Sequence, residues 1–384
     1  MMLLAAGVSM APFAHAEMLA IGLDRKFAYT DDGQRQALEP GRDEVVFYDL
    51  KNPAKPEFVG SVALENSIVG PPTNIAITPD QKVALIANAL RSVRAPDGKG
   101  WTFAPADELF VIDLTQRPPQ RVATVKVGSQ PSGIAIDRTG RMGLVANRDG
   151  KSISVLTIDG TRVEVRATIP MTDSVVSVAI APDGKRALAA KFAAHKVAVL
   201  DIGADGAVSY SGRDLPVGLF PWTVTITPDG NRAFVSNIGA NAASDGNAKT
   251  VSVIDLGLAP PRVIQHVSVG DAPEGISISP NGQLAAVTIL QGSYDAPRGS
   301  WFRNEVGLAT VLRLDAAGAS VAQSVPVGGF PEGIAFSSDN RFVYVGNFST
   351  SSLSILEMDA DGRVRGQTTM PLAGPAASLR IGSR

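Results

Sequence analysis

The sequence predicts an all-β fold: a seven-bladed β-propeller of four-stranded antiparallel blades, closed by pairing of the N- and C-terminal strands. Three observations carry that expectation. One segment recurs seven times along the chain. β-Branched residues dominate, with no stretch of helical periodicity. Tight-turn residues punctuate the copies. The clearest copy reads Val127-Gly128-Ser129-Gln130-Pro131-Ser132-Gly133-Ile134-Ala135-Ile136, then a polar turn, Leu144-Val145-Ala146-Asn147, and Ser152-Ile153-Ser154-Val155-Leu156. Aligned on the residue before the Ile-Ala-Ile triplet, the copies begin at Met18, Asn74, Gly133, Ser177, Thr223, Gly275 and Gly333, and a last fragment begins at Ser378. A sheet this small cannot bury its own faces and must stack on its neighbours, which a closed ring achieves while leaving only short edges.

The elements follow in chain order. Residues 1–16 carry no charge and run from an apolar stretch into Ala14-His15-Ala16, the pattern of a signal peptide with a small-x-small cleavage site. The expected organisation is therefore a leader over 1–16 and one propeller domain over 17–384, exported to the periplasm or secreted. The apolar run is shorter than the roughly 20 residues a spanning helix needs, so no stable membrane insertion is expected. The chain has no cysteine, and stability must come from the core without disulfides. With 45% hydrophobic and 19% charged residues among 384 it reads as globular, and a net charge of −2 offers no basic face for nucleic acid. A monomer is expected.

Within each copy the first strand is the Ile-Ala-Ile segment. A turn such as Pro182-Asp183-Gly184 or Pro228-Asp229-Gly230 follows, with the residues tight turns require. The second strand ends in Val-Ala-Asn or its like. The third alternates, as in Val251-Ser252-Val253-Ile254-Asp255-Leu256, and the fourth runs through Arg121 to Val127 or Arg262 to Val269. The shortest copy-to-copy spacing is 44 residues, Gly133 to Ser177, and four others exceed it by 8 to 15. Each surplus falls between second and third strands: Asp31 to Glu44, Ala89 to Asp107, Ile238 to Lys249 and Leu290 to Glu305. In a propeller those loops open on one face, so all four excursions should crowd one mouth of the central channel. The Met18 and Ser378 segments both read as an innermost strand, so the C-terminal strand, or a share between the two ends, should close the first blade.

The string Val-Gly-x-x-Pro-x-Gly-Ile-Ala-Ile, with a strand closed by Asn as in Ile86-Ala87-Asn88, Val145-Ala146-Asn147, Val235-Ser236-Asn237 and Val345-Gly346-Asn347, resembles the YVTN-type β-propeller repeat family. The likeness runs over the whole mature chain and implies the fold. Propellers of this kind range from secreted binding proteins to seven-bladed lactonases resembling the 6-phosphogluconolactonase family, so it does not choose an activity. No Pro-Arg-His type segment stands at the blade starts, where a close lactonase relative is expected to carry one.

Two rings of residues face the mouth in this alignment. Those preceding the inner strands are Glu17, Thr73, Ser132, Val176, Trp222, Glu274 and Glu332; those closing the second strands are Asp32, Asn88, Asn147, Lys191, Asn237, Ile289 and Asn347. Glu274 and Glu332 occupy equivalent positions in adjacent blades, and two carboxylates facing one channel raise an apparent pKa and form an acid/base pair or a cation site. Lys191, His195 and Arg148 supply positive charge for an anionic or carbonyl-bearing ligand or an oxyanion. Trp222, Trp101, Trp301 and Tyr294 put aromatic surface in polar loops, which pays only if they pack or bind. Asn237 and Asn347 offer oxygens to a ligand, although a recurring Asn equally serves its own turn. With His195 and His266 the only histidines beyond the leader, a multi-histidine zinc centre is excluded; a divalent cation held by Glu and Asn oxygens is the remaining metal option, and no other cofactor is expected. Three functions fit: binding of a small ligand at the mouth, lactonase-like hydrolysis or isomerisation with Glu274 or Glu332 as base, and a scaffold for a protein partner.

Overall fold

A computed structural model describes residues 17–67, 69–240, 243–359 and 361–382, so the expected leader lies outside the described residues. Seven four-stranded antiparallel sheets and one two-stranded hairpin account for the strands. Blade 3 sets the pattern, with Pro131–Ile136 innermost, then Met142–Asn147, Ser152–Asp159 and Arg162–Pro170 outermost. The second strand is buried almost throughout, whereas the outermost alternates between buried and exposed. That gradient explains the sequence pattern: a strand covered by neighbouring blades on both faces is apolar at every position, and a rim strand only at every second one. The core is a set of apolar layers between blades. One joins Leu144, Ala146 and Val155 of blade 3 to Val178, Ala187, Ala189 and Leu200 of blade 4.

The closing blade orders as Ala376–Ile381, Met18–Leu23, Glu44–Asp49 and Glu57–Ala63 from the channel outward. The C-terminal strand alone is innermost, and the Met18 segment is a second strand. Two ring positions are corrected accordingly. Leu23 pairs with Glu44 as Asn147 pairs with Ser152, so Leu23 rather than Asp32 closes the second strand. The channel position belongs to Ala377, bulged between Ala376 and Ser378, rather than to Glu17. Gln81 of blade 2 locks the seam: it accepts from the Met18 amide at 3.1 Å and donates to the Gly382 carbonyl at 2.7 Å.

At the face opposite the mouth, the turn after the inner strand is tied in four blades by a short hydroxyl bond, Thr78 to Asp80, Thr227 to Asp229, Ser279 to Asn281 and Ser337 to Asp339. At the mouth, the four excursions meet. The first folds into a hairpin of Phe27–Tyr29 with Arg35–Ala37, and the second lengthens the strands Val83–Arg94 and Trp101–Asp113. Ser92 in the second donates to Leu38 O in the first at 2.5 Å. The Arg298 amide in the fourth donates to Asp31 O at 2.7 Å, and the Ser244 amide in the third donates to Asp295 Oδ2 at 2.7 Å. The loops therefore form one lid over the channel.

Candidate functional site at the propeller mouth

A backbone irregularity aims the site. In blade 6, Pro273 pairs with Ile289 and Ile276 with Val287, so two residues on the inner strand oppose one; blade 7 repeats this between Pro331 and Ile334, and blade 5 between Pro221 and Val224. Such a bulge bends the strand and re-aims a side chain, here Trp222, Glu274 and Glu332 toward the channel. The glycine after the glutamate is required by the neighbouring blade. A Cβ on Gly275 would sit 2.4 Å from the Glu332 carbonyl oxygen, and one on Gly333 2.4 Å from the Leu379 amide. Hydroxyls of the second strands fix the same backbone, Ser236 donating to Glu274 O at 2.7 Å and Thr288 to Glu332 O at 2.9 Å.

The residues converge on a cavity of about 20 Å³, lined by Phe27, Tyr29, Arg35, Trp222, Glu274, Phe330 and Glu332 together with Val69 and Gly70. A space of that size admits a water molecule. Its roof is aromatic: Tyr29 lies 5.5 Å from Tyr294 and 5.4 Å from Phe330, and Phe27 lies 5.9 Å from both Phe103 and Phe348. Below it, Glu274 Oε2, Glu332 Oε2 and Trp222 Nε1 are buried and make no hydrogen bond of good geometry among the described residues, although the Trp222 indole faces the Glu274 carboxyl closely enough to favour its charged form. Burial pushes the Glu274 carboxyl up to about 8; the nearby Trp222 indole and Arg35 oppose that rise, and Asp295 adds to it. Burial also raises Glu332, reinforced by the charges of Glu274 and Asp295. Like charges in one dry chamber cannot both ionise cheaply, so the pair titrates as a unit shifted toward its protonated forms.

Of the residues expected at the mouth, the fold brings Glu274, Glu332 and Trp222 together, with Tyr294 in the roof and the Arg148 guanidinium carbon 5.6 Å from the Trp222 ring centroid. The others stand elsewhere. Lys191 is fully buried but points outward along its blade, donating to Thr172 and Asp214 at 2.9 Å and pairing with Asp173 at 3.0 Å. His195 occupies a left-handed turn position, φ 57°, and its Nδ1 accepts the Phe220 amide at 3.0 Å. Asn237 donates to Thr250 and Ser252, and Asn347 to Ser352 and Ser354 while accepting from the Gly328 amide; these side chains build their blades. Trp101 lies under Arg94, 4.3 Å from its guanidinium carbon, on the second excursion, and Trp301 is 80% exposed beside Phe302. Among the described residues, no group of three or more His, Asp or Glu side chains converges closely enough to hold a metal ion, and no helix is long and apolar enough to cross a membrane.

Sequence reasoning missed Arg35, Phe27, Tyr29, Phe330 and Asp295. Phe330 carried a signal, because the residue before the blade-start proline is left-handed in four blades (Gln130, Phe220, Ala272 and Phe330), which swings its side chain over the mouth. The hairpin residues carried none.

The fold and this chamber define a seven-bladed β-propeller with an acid-floored, aromatic-lidded mouth. No protein-family model matches the sequence, and the search of curated proteins found no match. Solved structures do share the fold. A candidate 6-phosphogluconolactonase of Bacteroides fragilis superposes with a TM-score of 0.71 at 15% identity, over 97% of this chain and 99% of its own. The periplasmic gluconolactonase of Pseudomonas aeruginosa gives 0.62 at 20% identity, over 95% and 98%. The hydrazine synthase of Kuenenia stuttgartiensis gives 0.62 at 19%, over 83% and 91%. At such identities the likeness establishes architecture, and these names span unrelated chemistries.

Proposed function

We propose that this chain is an exported propeller of the YVTN-repeat kind whose mouth closes over a small hydroxyl- or carbonyl-bearing ligand. The observation that carries the reading is the convergence of three buried, unpartnered polar atoms, Glu274 Oε2, Glu332 Oε2 and Trp222 Nε1, on one cavity. A protonated carboxyl donates one hydrogen bond and accepts others, and an indole only donates. A ligand carbonyl or hydroxyl satisfies these groups, and the rings of Trp222, Tyr29 and Phe330 cover its apolar face. The closed cavity is far smaller than a sugar-sized molecule, so binding requires the lid to lift. A thermal-shift panel of sugar lactones, aromatic acids and divalent cations tests this. A binder at a hundred times its Kd stabilises by about 2.7 kcal/mol, and that gain should vanish in E274Q/E332Q. Equal shifts in both proteins would exclude the chamber.

The coupled acids beside a water-sized cavity favour a second reading, lactone hydrolysis. In the form of the pair that carries a single proton, the carboxylate takes a proton from water as the water oxygen attacks the ring carbonyl. The ester C–O bond breaks, and the protonated partner gives its proton to the departing alkoxide. Wild-type turnover of a lactone that the single variant E274Q or E332Q still binds but does not open would establish it; binding without turnover in the wild type leaves a binder. Export belongs to the reading because every described strand begins at or after Met18, so cleavage near Glu17 would spare the whole ring. Fractionation with N-terminal sequencing should find a periplasmic chain starting there, and a full-length cytoplasmic chain would refute it.

A further inference from the structure

Arg148 leaves the second strand of blade 3 directly after Asn147, with its amide donating to Gln130 O at 2.9 Å. Its guanidinium lies over two rings, 4.9 Å from the Phe192 centroid and 5.6 Å from that of Trp222. It forms no hydrogen bond or ion pair through its side chain among the described residues. Arginines elsewhere on the same face do find carboxylates, Arg25 with Glu44 at 2.7 Å and Arg298 with Asp31 at 3.1 Å. The adjacent acid, Asp149, is engaged by the Ser129 hydroxyl at 2.9 Å. A charged neighbour that Arg148 does feel is Arg35, which lines the chamber with Trp222. Burial and that like charge push Arg148 down to about 10, so it stays cationic at neutral pH. Both chamber acids are shifted toward their protonated forms, which lowers the compensating charge they supply.

We propose that Arg148 and Arg35 form an anion subsite on the ledge of Phe192 and Trp222, so that the ligand of the mouth carries a carboxylate or a phosphate. The inference rests on the chamber reading above and adds the charge class of what enters it. A planar guanidinium held flat on aromatic rings presents its N–H edge to a two-oxygen acceptor with little loss of freedom. The cation–π contact offsets part of the cost of burying an uncompensated charge, and a bound anion offsets more.

Trp222 is the natural reporter. In a W101F/W301F protein it is the one remaining tryptophan, and an anion drawn to Arg148 alters the charge over its ring. Titration with sodium acetate, sodium phosphate and sodium chloride at constant ionic strength should give a saturable change in its emission with acetate or phosphate and none with chloride. Which of the two responds distinguishes a carboxylate from a phosphate handle. R148Q should weaken the response roughly tenfold or more, and R148K less, because charge survives while the fork is lost. Circular dichroism checks that each variant is folded. No saturable response to either anion, or an equal one in R148Q, would overturn the proposal. If sugar lactones still stabilise through Glu274 while the anions leave Trp222 unmoved, the subsite falls and the chamber stands. Anions that bind through Arg148 while lactones do not bind would keep the subsite and remove the lactone-binding chamber.

Discussion

Replacing Lys26 with methionine is expected to cost roughly 3–5 kcal/mol of folding stability. Lys26 is fully buried at the start of the first excursion. Its ammonium pairs with Asp43 at 2.5 Å and Asp24 at 3.3 Å and also donates to Asn66 O. Burial opposes its charge, but Asp24 and Asp43 outweigh that and hold its pKa above the ordinary lysine value. Both aspartates are themselves buried, so methionine would leave two carboxylates facing each other in a dry site. The loss should appear as a lower urea midpoint with little change in slope. The triple variant K26M/D24N/D43N should recover more than half of it, since removing all the charges is cheaper than stranding some. A loss under about 1 kcal/mol in K26M would show that water reaches the cluster. The same change should loosen the Phe27–Tyr29 hairpin, which follows directly in the chain and supplies the roof of the chamber.

The legible part of this protein is what repeats. Pro-x-Gly could be aligned across blades because one local geometry, a bulge followed by a close approach to the next inner strand, recurs and demands the same residues. Glu274, Glu332 and Trp222 stood out as different residues at an equivalent position, and the bulge aims that position at the channel. The closing position misled for a reason of pleat. Its side chain turns away from the channel toward the outer strands, as Asn147 shows by donating to Ser152 and Ser154 at 3.0 Å. Lys191 inherits that direction and ends in an ion-pair cluster with Asp173 and Asp214. Tryptophans in long loops carry no period to fix their side, and Trp301 faces solvent while Trp222 is buried. Arg35 and Tyr29 lie in a hairpin outside the repeat. Tyr29 is placed by contacts with Tyr294 and Phe330, hundreds of residues away, which no local pattern encodes, and Arg35 is paired to it across the hairpin. The C-terminal strand closes the first blade as expected, but Glu17 and Asp32 were misplaced on the rings because two segments with the same repeat pattern competed for one strand, and only pairing across the seam decides between them.

Stability should fall as pH rises from about 4.5 to about 8, and E274Q/E332Q should abolish much of that fall. The sign follows from the direction in which the two acids move. Glu274 is held up to about 8 in the folded chain, and Glu332 is also well above its ordinary value. Below about 4.5 both states carry these protons, and the folded chain has its full stability. Above that the unfolded chain ionises while the folded one does not, so unfolding releases protons and stability declines with pH until the folded acids ionise as well. Each tenfold difference in proton affinity between the two states is worth about 1.4 kcal/mol, so Glu274 alone accounts for a loss on the order of 4–5 kcal/mol between pH 4.5 and 8, and Glu332 adds to it. Glutamine is nearly isosteric and cannot ionise, so the variant should match the wild type near pH 4.5 and exceed it at pH 8. Urea midpoints at the two values decide it. Curves that stay parallel would mean that the chamber admits enough water to solvate both carboxylates, and a lid that leaky could not hold the glutamates as hydrogen-bond donors for a ligand.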